Sequence, residues 1–128
     1  MNVSSHNLAV DIAERLNDFA PDGLSIGSAG KVIEVYSGGR MIGGSPALGI
    51  IDENDDRSVT TRIETAVRAT LDGIQDVIIE DIHRPWPGPP GPGSELPMPD
   101  CRVSGDGLLV WFGDEAAPAL AFPRIALH

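Results

Sequence analysis

Ser58-Val-Thr-Thr-Arg-Ile-Glu-Thr-Ala-Val-Arg-Ala-Thr-Leu-Asp-Gly-Ile-Gln-Asp-Val-Ile-Ile-Glu-Asp-Ile82 is the stretch on which the fold turns. Two readings compete over its end. Val77-Ile78-Ile79 has the β-branched character of a strand. Against it, Val59, Ile63, Val67, Thr70, Leu71, Ile74, Ile78 and Ile82 recur at three- and four-residue spacing. Arg57, Glu64, Arg68, Asp72, Gln75, Asp76 and Glu80 mostly keep to the other side. The longer periodicity decides for one helix over 58–82, with Gly73 a tolerated weak point. Thr61 and Glu64 would form a capping box if the helix began later. Arg84-Pro85 ends it.

Upstream of this helix the pattern is different. Leu8, Ala9, Ile12, Ala13, Leu16 and Phe19 make one apolar stripe, capped by Ser4 or Ser5 and stopped before Pro21, so a first helix precedes. The period then drops to two. Leu24 to Ile26, Lys31 to Tyr36 and a segment within Met41 to Ile51 read as an antiparallel meander. The third strand is weakened by Gly43, Gly44 and Pro46. Downstream, residues 85–99 carry most of the prolines and form an extended, partly polyproline-II loop. Cys101 to Val103 and Leu108 to Phe112 pair as a hairpin. Ala119 to Leu127 is a last strand, interrupted by Pro123. The expectation is one α+β domain over 1–128, with two helices on one curved antiparallel sheet, in the order α-βββ-α-ββ(β).

Composition bounds the function. The chain has 128 residues, is 41% hydrophobic and carries a formal net charge of −10. That charge disfavours nucleic acid, whose recognition rests on cations neutralising phosphates, and disfavours anionic membrane surfaces. No apolar run approaches the ~20 residues of a membrane span. The sole cysteine, Cys101, leaves no intrachain disulfide, and the first residues lack the basic-then-apolar pattern of a signal peptide, so a soluble cytoplasmic protein is expected. A single lysine, Lys31, among many Ala, Gly and Pro points to a GC-rich bacterial source.

The motifs that carry chemistry are incomplete. Gly38-x4-Gly43-Gly44-Ser45 outlines a phosphate loop but has Gly44 where lysine is needed. Asp52, Asn54 and Asp56 repeat calcium-loop spacing, yet Arg57 replaces the required glycine and Glu64 falls one place late. Asp76, Glu80 and His83 share a helical face, without the second copy that a di-iron site needs. His6 and His128 sit near the termini. Cys101 has no activating base nearby in sequence, and no serine lies in a nucleophile elbow. No cofactor or metal is called for. Arg84-Pro85-Trp86-Pro87 fits a proline-ligand pattern but is better read as a stiffened connection. Trp86, Trp111 and Phe112 are the candidate binding residues. Trp111 and Phe112, being adjacent on a strand, point to opposite faces.

The order of elements, the small size and the acidic charge resemble the secretion-chaperone-like fold, in which two helices lie on one curved antiparallel sheet. The chain departs from that layout in ending on strands. The resemblance implies a non-enzymatic, often dimeric, protein-binding module. Two function classes follow. The first is a chaperone, adaptor, immunity or inhibitor type of protein-binding module, with a homodimer built on the sheet near Trp111 and Phe112. The alternative is a small enzyme using His83 with Cys101, or His83 with Asp76 and Glu80.

Overall fold

The computed structural model describes residues 3–88 and 95–127. Helix α1 (Ser5–Asp18) begins at Ser4, whose hydroxyl accepts from the Asn7 N–H at 3.2 Å, one of the free donors of a helix start. Strands β1 (Leu24–Ala29), β2 (Val32–Ser37) and β3 (Arg40–Ser45) form an antiparallel meander. Strand β3 lies in the first part of the stretch Met41 to Ile51, with Arg40 added at its start, and stops at Ser45. A 3-10 turn, Ala47–Asp52, follows Pro46 and drives Leu48 and Ile51 into the core.

Helix α2 (Val59–Ile82) is one uninterrupted element, as its periodicity demands. Ser58 caps it by accepting from the Thr61 N–H at 3.1 Å. The Thr61–Glu64 capping box does not form, because Glu64 reaches across to another strand instead. His83 closes the helix in the left-handed region (φ 56°), its N–H donating to the Ile79 carbonyl at 2.9 Å.

Strands β4 (Pro99–Ser104), β5 (Gly107–Asp114), β6 (Ala117–Ala121) and β7 (Ile125–Ala126) complete the chain. Strands β6 and β7 run along the same side of β5, opposite β4, and are in effect the one interrupted strand read from the sequence. The proline-rich segment is shorter than expected at its far end, since Pro99 already pairs with Phe112. Its residues 89–94 lie outside the described residues.

The α+β class and the order of elements match the expectation, with one correction. The strands form two sheets, β1-β2-β3 and β4-β5-β6/β7, and not one curved sheet. The reason is α2, which covers both. Its first half meets β4, and its second half lies on β2 and β3. An ideal Cβ on Gly43 of β3 would stand 2.8 Å from Val77 Cγ2, so only glycine lets α2 lie this close to the strand. One hydrophobic cluster therefore draws on both helices and both sheets, with Ile12, Leu16, Ile33, Ile63, Leu71, Ile74, Phe112 and Ile125 fully enclosed. The split also removes the single curved sheet on which the secretion-chaperone-like likeness rests.

Candidate functional site

The three aromatic candidates fall in different places. Trp86 is buried, set edge-on against Phe112 with ring centroids 5.4 Å apart, and its indole N–H donates to the Phe19 carbonyl at 3.2 Å. Phe112 is fully enclosed and also meets Phe122 edge-on. Both are therefore core residues that pin the proline segment to the second sheet. Phe112, being enclosed, offers no contact surface of its own. Trp111 does point to the face opposite Phe112, between Asp100 on β4 and Ala121 on β6, and is only 7% exposed.

Of the two candidate enzyme sets, Cys101 and His83 are separated, whereas Asp76, Glu80 and His83 stay together at the end of α2. The Cys101 thiol donates to the Glu64 carbonyl at 3.4 Å, in the first half of α2. His83 follows Glu64 by 19 residues at the far end of the same helix, roughly 28 Å away at 1.5 Å per residue. Burial pushes the Cys101 thiol up to about 12, against the pull of Arg68, so it holds its proton and is a poor nucleophile. Among the described residues no three His, Cys, Asp or Glu side chains gather as a metal would require. Asp52, first of the calcium-like run, is occupied otherwise. It accepts from the Ser5 hydroxyl at 2.7 Å and from Lys31 at 3.2 Å, and the Ser5 bond foremost holds its carboxyl below the usual range.

The informative geometry lies at the strand edges. An exposed edge offers unpaired N–H and C=O groups to any passing strand, so proteins obstruct it. The Ile26 N–H on the outer edge of β1 donates to Asn17 Oδ1 at 2.9 Å. On β4 the Cys101 N–H donates to Asp100 Oδ1 at 2.8 Å, and the Val103 N–H to Glu64 Oε2 at 2.9 Å. Along β6–β7, Pro118 and Pro123 have no N–H to offer, and Arg15 donates to the carbonyls of Pro123 and Arg124. Strand β3 is different. Among the described residues, the one side-chain bond at its outer edge is at its end, where Ser45 Oγ accepts from the Ala47 N–H.

The open edge borders a groove of about 200 Å³ lined by Ile42, Val77, Glu80 and Asp81. Ile42 reaches it because the β2–β3 register slips between Val35 and Tyr36, leaving Ile42 without a partner on β2. Met41 beside it is 54% exposed. Asp72, Asp76 and Glu80 recur every fourth residue along the exposed side of α2, with Asp81 adjacent, and no lysine or arginine follows Arg68 on that helix. Elsewhere Lys31, Arg57, Arg62, Arg68, Arg102 and Arg124 pair with carboxylates, Arg15 donates to backbone carbonyls, and the exposed Arg40 and Arg84 stand at the start of β3 and just past the end of α2. A second, larger depression near Thr65 and Met98, about 390 Å³, has its cation Arg68 tied to Asp100. The surplus negative charge is thus left over the second half of α2, next to an apolar floor.

Sequence reasoning noticed the weak strand at Gly43-Gly44 and the acidic face of the helix, but not that they adjoin. The signal was present in Gly43, a residue with no side chain opposite a periodic helix. Comparison with protein-family models, with curated proteins and with solved structures finds no match to this chain.

Proposed function

We propose that this chain is a non-enzymatic, cytoplasmic protein-binding module, of the chaperone, adaptor, immunity or inhibitor type, whose contact surface is the second half of α2 together with β3. One observation carries this reading: four carboxylates, Asp72, Asp76, Glu80 and Asp81, with no ion pair among the described residues and with Arg84 as the next cation in sequence, stand beside an apolar groove and exposed Met41. Charge of one sign around an apolar floor favours a partner of opposite sign, speeding encounter and rejecting like-charged surfaces. The Cys101–His83 form of the enzyme alternative loses its support because its nucleophile is buried and protonated and its base lies at the other end of α2.

The test is site-specific photo-crosslinking in cells that make the protein. A crosslinker at Asp76 is compared with one at Arg102 on the second sheet, and the captured partner is then purified and its affinity measured directly. Capture through Asp76, with an affinity that falls at least about tenfold in Asp76→Lys/Glu80→Lys, supports the reading. Capture through Arg102 alone, or a purified partner indifferent to the double substitution, overturns it.

A further inference from the structure

We infer that β3 is a strand-acceptor edge, and that its occupant is an extended cationic segment of a partner protein. This rests on the protein-binding reading above and specifies how the partner is held. The argument is one of contrast. Three sheet edges are obstructed by named groups: Asn17 on β1, Asp100 and Glu64 on β4, and Arg15 with two prolines on β6–β7. Obstruction of this kind prevents stray pairing, and β3, which among the described residues has no side-chain bond along its edge short of its end at Ser45 and carries only the bulge at Ile42 and the charge of Arg40 near its start, is the edge most open to pairing. Main-chain hydrogen bonds along an added strand supply affinity, and pockets for alternate side chains supply specificity.

The side chains of an added strand would alternate between two environments. Those on the α2 side meet Ile42 and Val77 below and Glu80 and Asp81 at the rim. A lysine or arginine fits there, its aliphatic stem over the apolar floor and its charge at the carboxylates. Those on the other side come beside exposed Met41 and the outer face carrying Glu34 and Tyr36, where the Tyr36 hydroxyl donates to Glu34 at 2.8 Å. Apolar residues suit that side near Met41. Arg40 opens the strand, away from Gly43 and Gly44, so the cationic positions belong along 42–45.

A second copy of this chain is the competing occupant, and charge argues against it. Two-fold pairing of β3 with β3 would place both α2 helices on one side of the joined sheet, with the Glu80 and Asp81 of each copy facing the other across the axis. Each chain also carries a formal −10. Like charges brought together in this way cost free energy that a cationic segment would instead gain.

The probe is an acetylated ten-residue peptide alternating lysine and valine, added to the intact protein and followed by hydrogen exchange of the amides and by light scattering. The expected result is binding, with exchange at 41–45 slowed at least about tenfold. The same peptide with alternate amides N-methylated, or with glutamate for lysine, should bind at least about tenfold more weakly. Glu80→Lys/Asp81→Lys, both exposed positions, should also lose binding. No binding of the lysine–valine peptide at millimolar concentration overturns the inference. So does binding that N-methylation leaves unchanged or that leaves 41–45 unprotected. If that mode of binding is still lost in the double substitution, the acidic contact surface survives and strand addition alone falls. A dimer mass in the free protein, with 41–45 already protected, assigns the edge to a second copy and likewise overturns it.

Discussion

Gln75 offers a sharp test of how the proline-rich segment is held. Its side chain is fully buried, and its Nε2 donates to the Trp86 carbonyl at 3.0 Å and to the Pro97 carbonyl at 2.7 Å. One amide therefore joins the two ends of a segment otherwise rich in residues without an N–H. Two carbonyl acceptors fix which way the amide points, and Oε1 is left with no partner among the described residues. In Gln75→Leu the volume is nearly kept while both donors disappear. Each orphaned carbonyl costs about 1–3 kcal/mol, and removing the unpaired Oε1 gives back a penalty of the same kind, so the net loss is about 1–3 kcal/mol. Gln75→Ala adds a cavity and should cost about 2–5 kcal/mol.

Gln75→Glu adds a pH dependence with a definite sign. Burial raises a carboxyl's folded-state pKa above its ordinary value near 4.3, so the folded protein binds more protons than the unfolded chain between the two values. Stability relative to the native sequence then falls as pH rises through that window, by about 1.4 kcal/mol per unit, and levels off above the folded pKa. Urea unfolding of the native protein and the three variants at several pH values measures all of this. A Gln75→Leu variant as stable as the native protein would refute the clip, and a Gln75→Glu penalty that does not change with pH would refute the burial.

Gly43→Ala should destabilise by about 1–3 kcal/mol, since its Cβ would press on Val77, and Val77→Ala in the same chain should recover part of the loss; independent, additive costs would contradict the close approach. Gly73→Ala should stabilise by up to ~1 kcal/mol, because the position is helical and the added methyl would meet Ser45 Cβ at 3.5 Å, an ordinary contact; a lower urea midpoint would count against it. Cys101 should resist iodoacetamide at pH 8 in the folded protein and react readily in urea, because its thiol is buried and raised to about 12; rapid labelling without urea would place it at the surface.

The elements were legible where periodicity was long. Helix α2 could be read through its rival strand at 77–79 because seven apolar positions, with Thr70, held one spacing over the whole stretch. Residues that serve two neighbours were not legible. Gln75 reads as an outward polar residue by its helical position, yet the proline segment covers that side of α2 and the amide turns inward to its carbonyls. Phe19 reads as the last residue of the buried stripe of α1, yet it caps the helix, remains 40% exposed and stacks on Phe122 from the far end of the chain. In each case the deciding partner is remote in sequence, and a one-dimensional pattern carries no record of it.

The same limit explains the two sheets and the site together. Alternation assigns strands but not the gap between them, and α2 is what spans that gap, through Glu64 and Cys101 on β4 and through Val77 on Gly43 of β3. A helix that must lie against two strands in separate sheets can protect only those edges its polar side chains reach. Glu64 reaches β4 and accepts from the Val103 N–H at 2.9 Å. The second half of α2 presents Val77 to β3 instead, an apolar contact that allows close packing but satisfies no backbone donor. The open edge and the acidic rim above it are therefore two consequences of one choice of helix face: carboxylates turned outward at Asp76, Glu80 and Asp81 cannot also turn down to obstruct the strand. Moving one of them inward, as Glu64 is, would close the edge and remove part of the charge that favours a cationic partner.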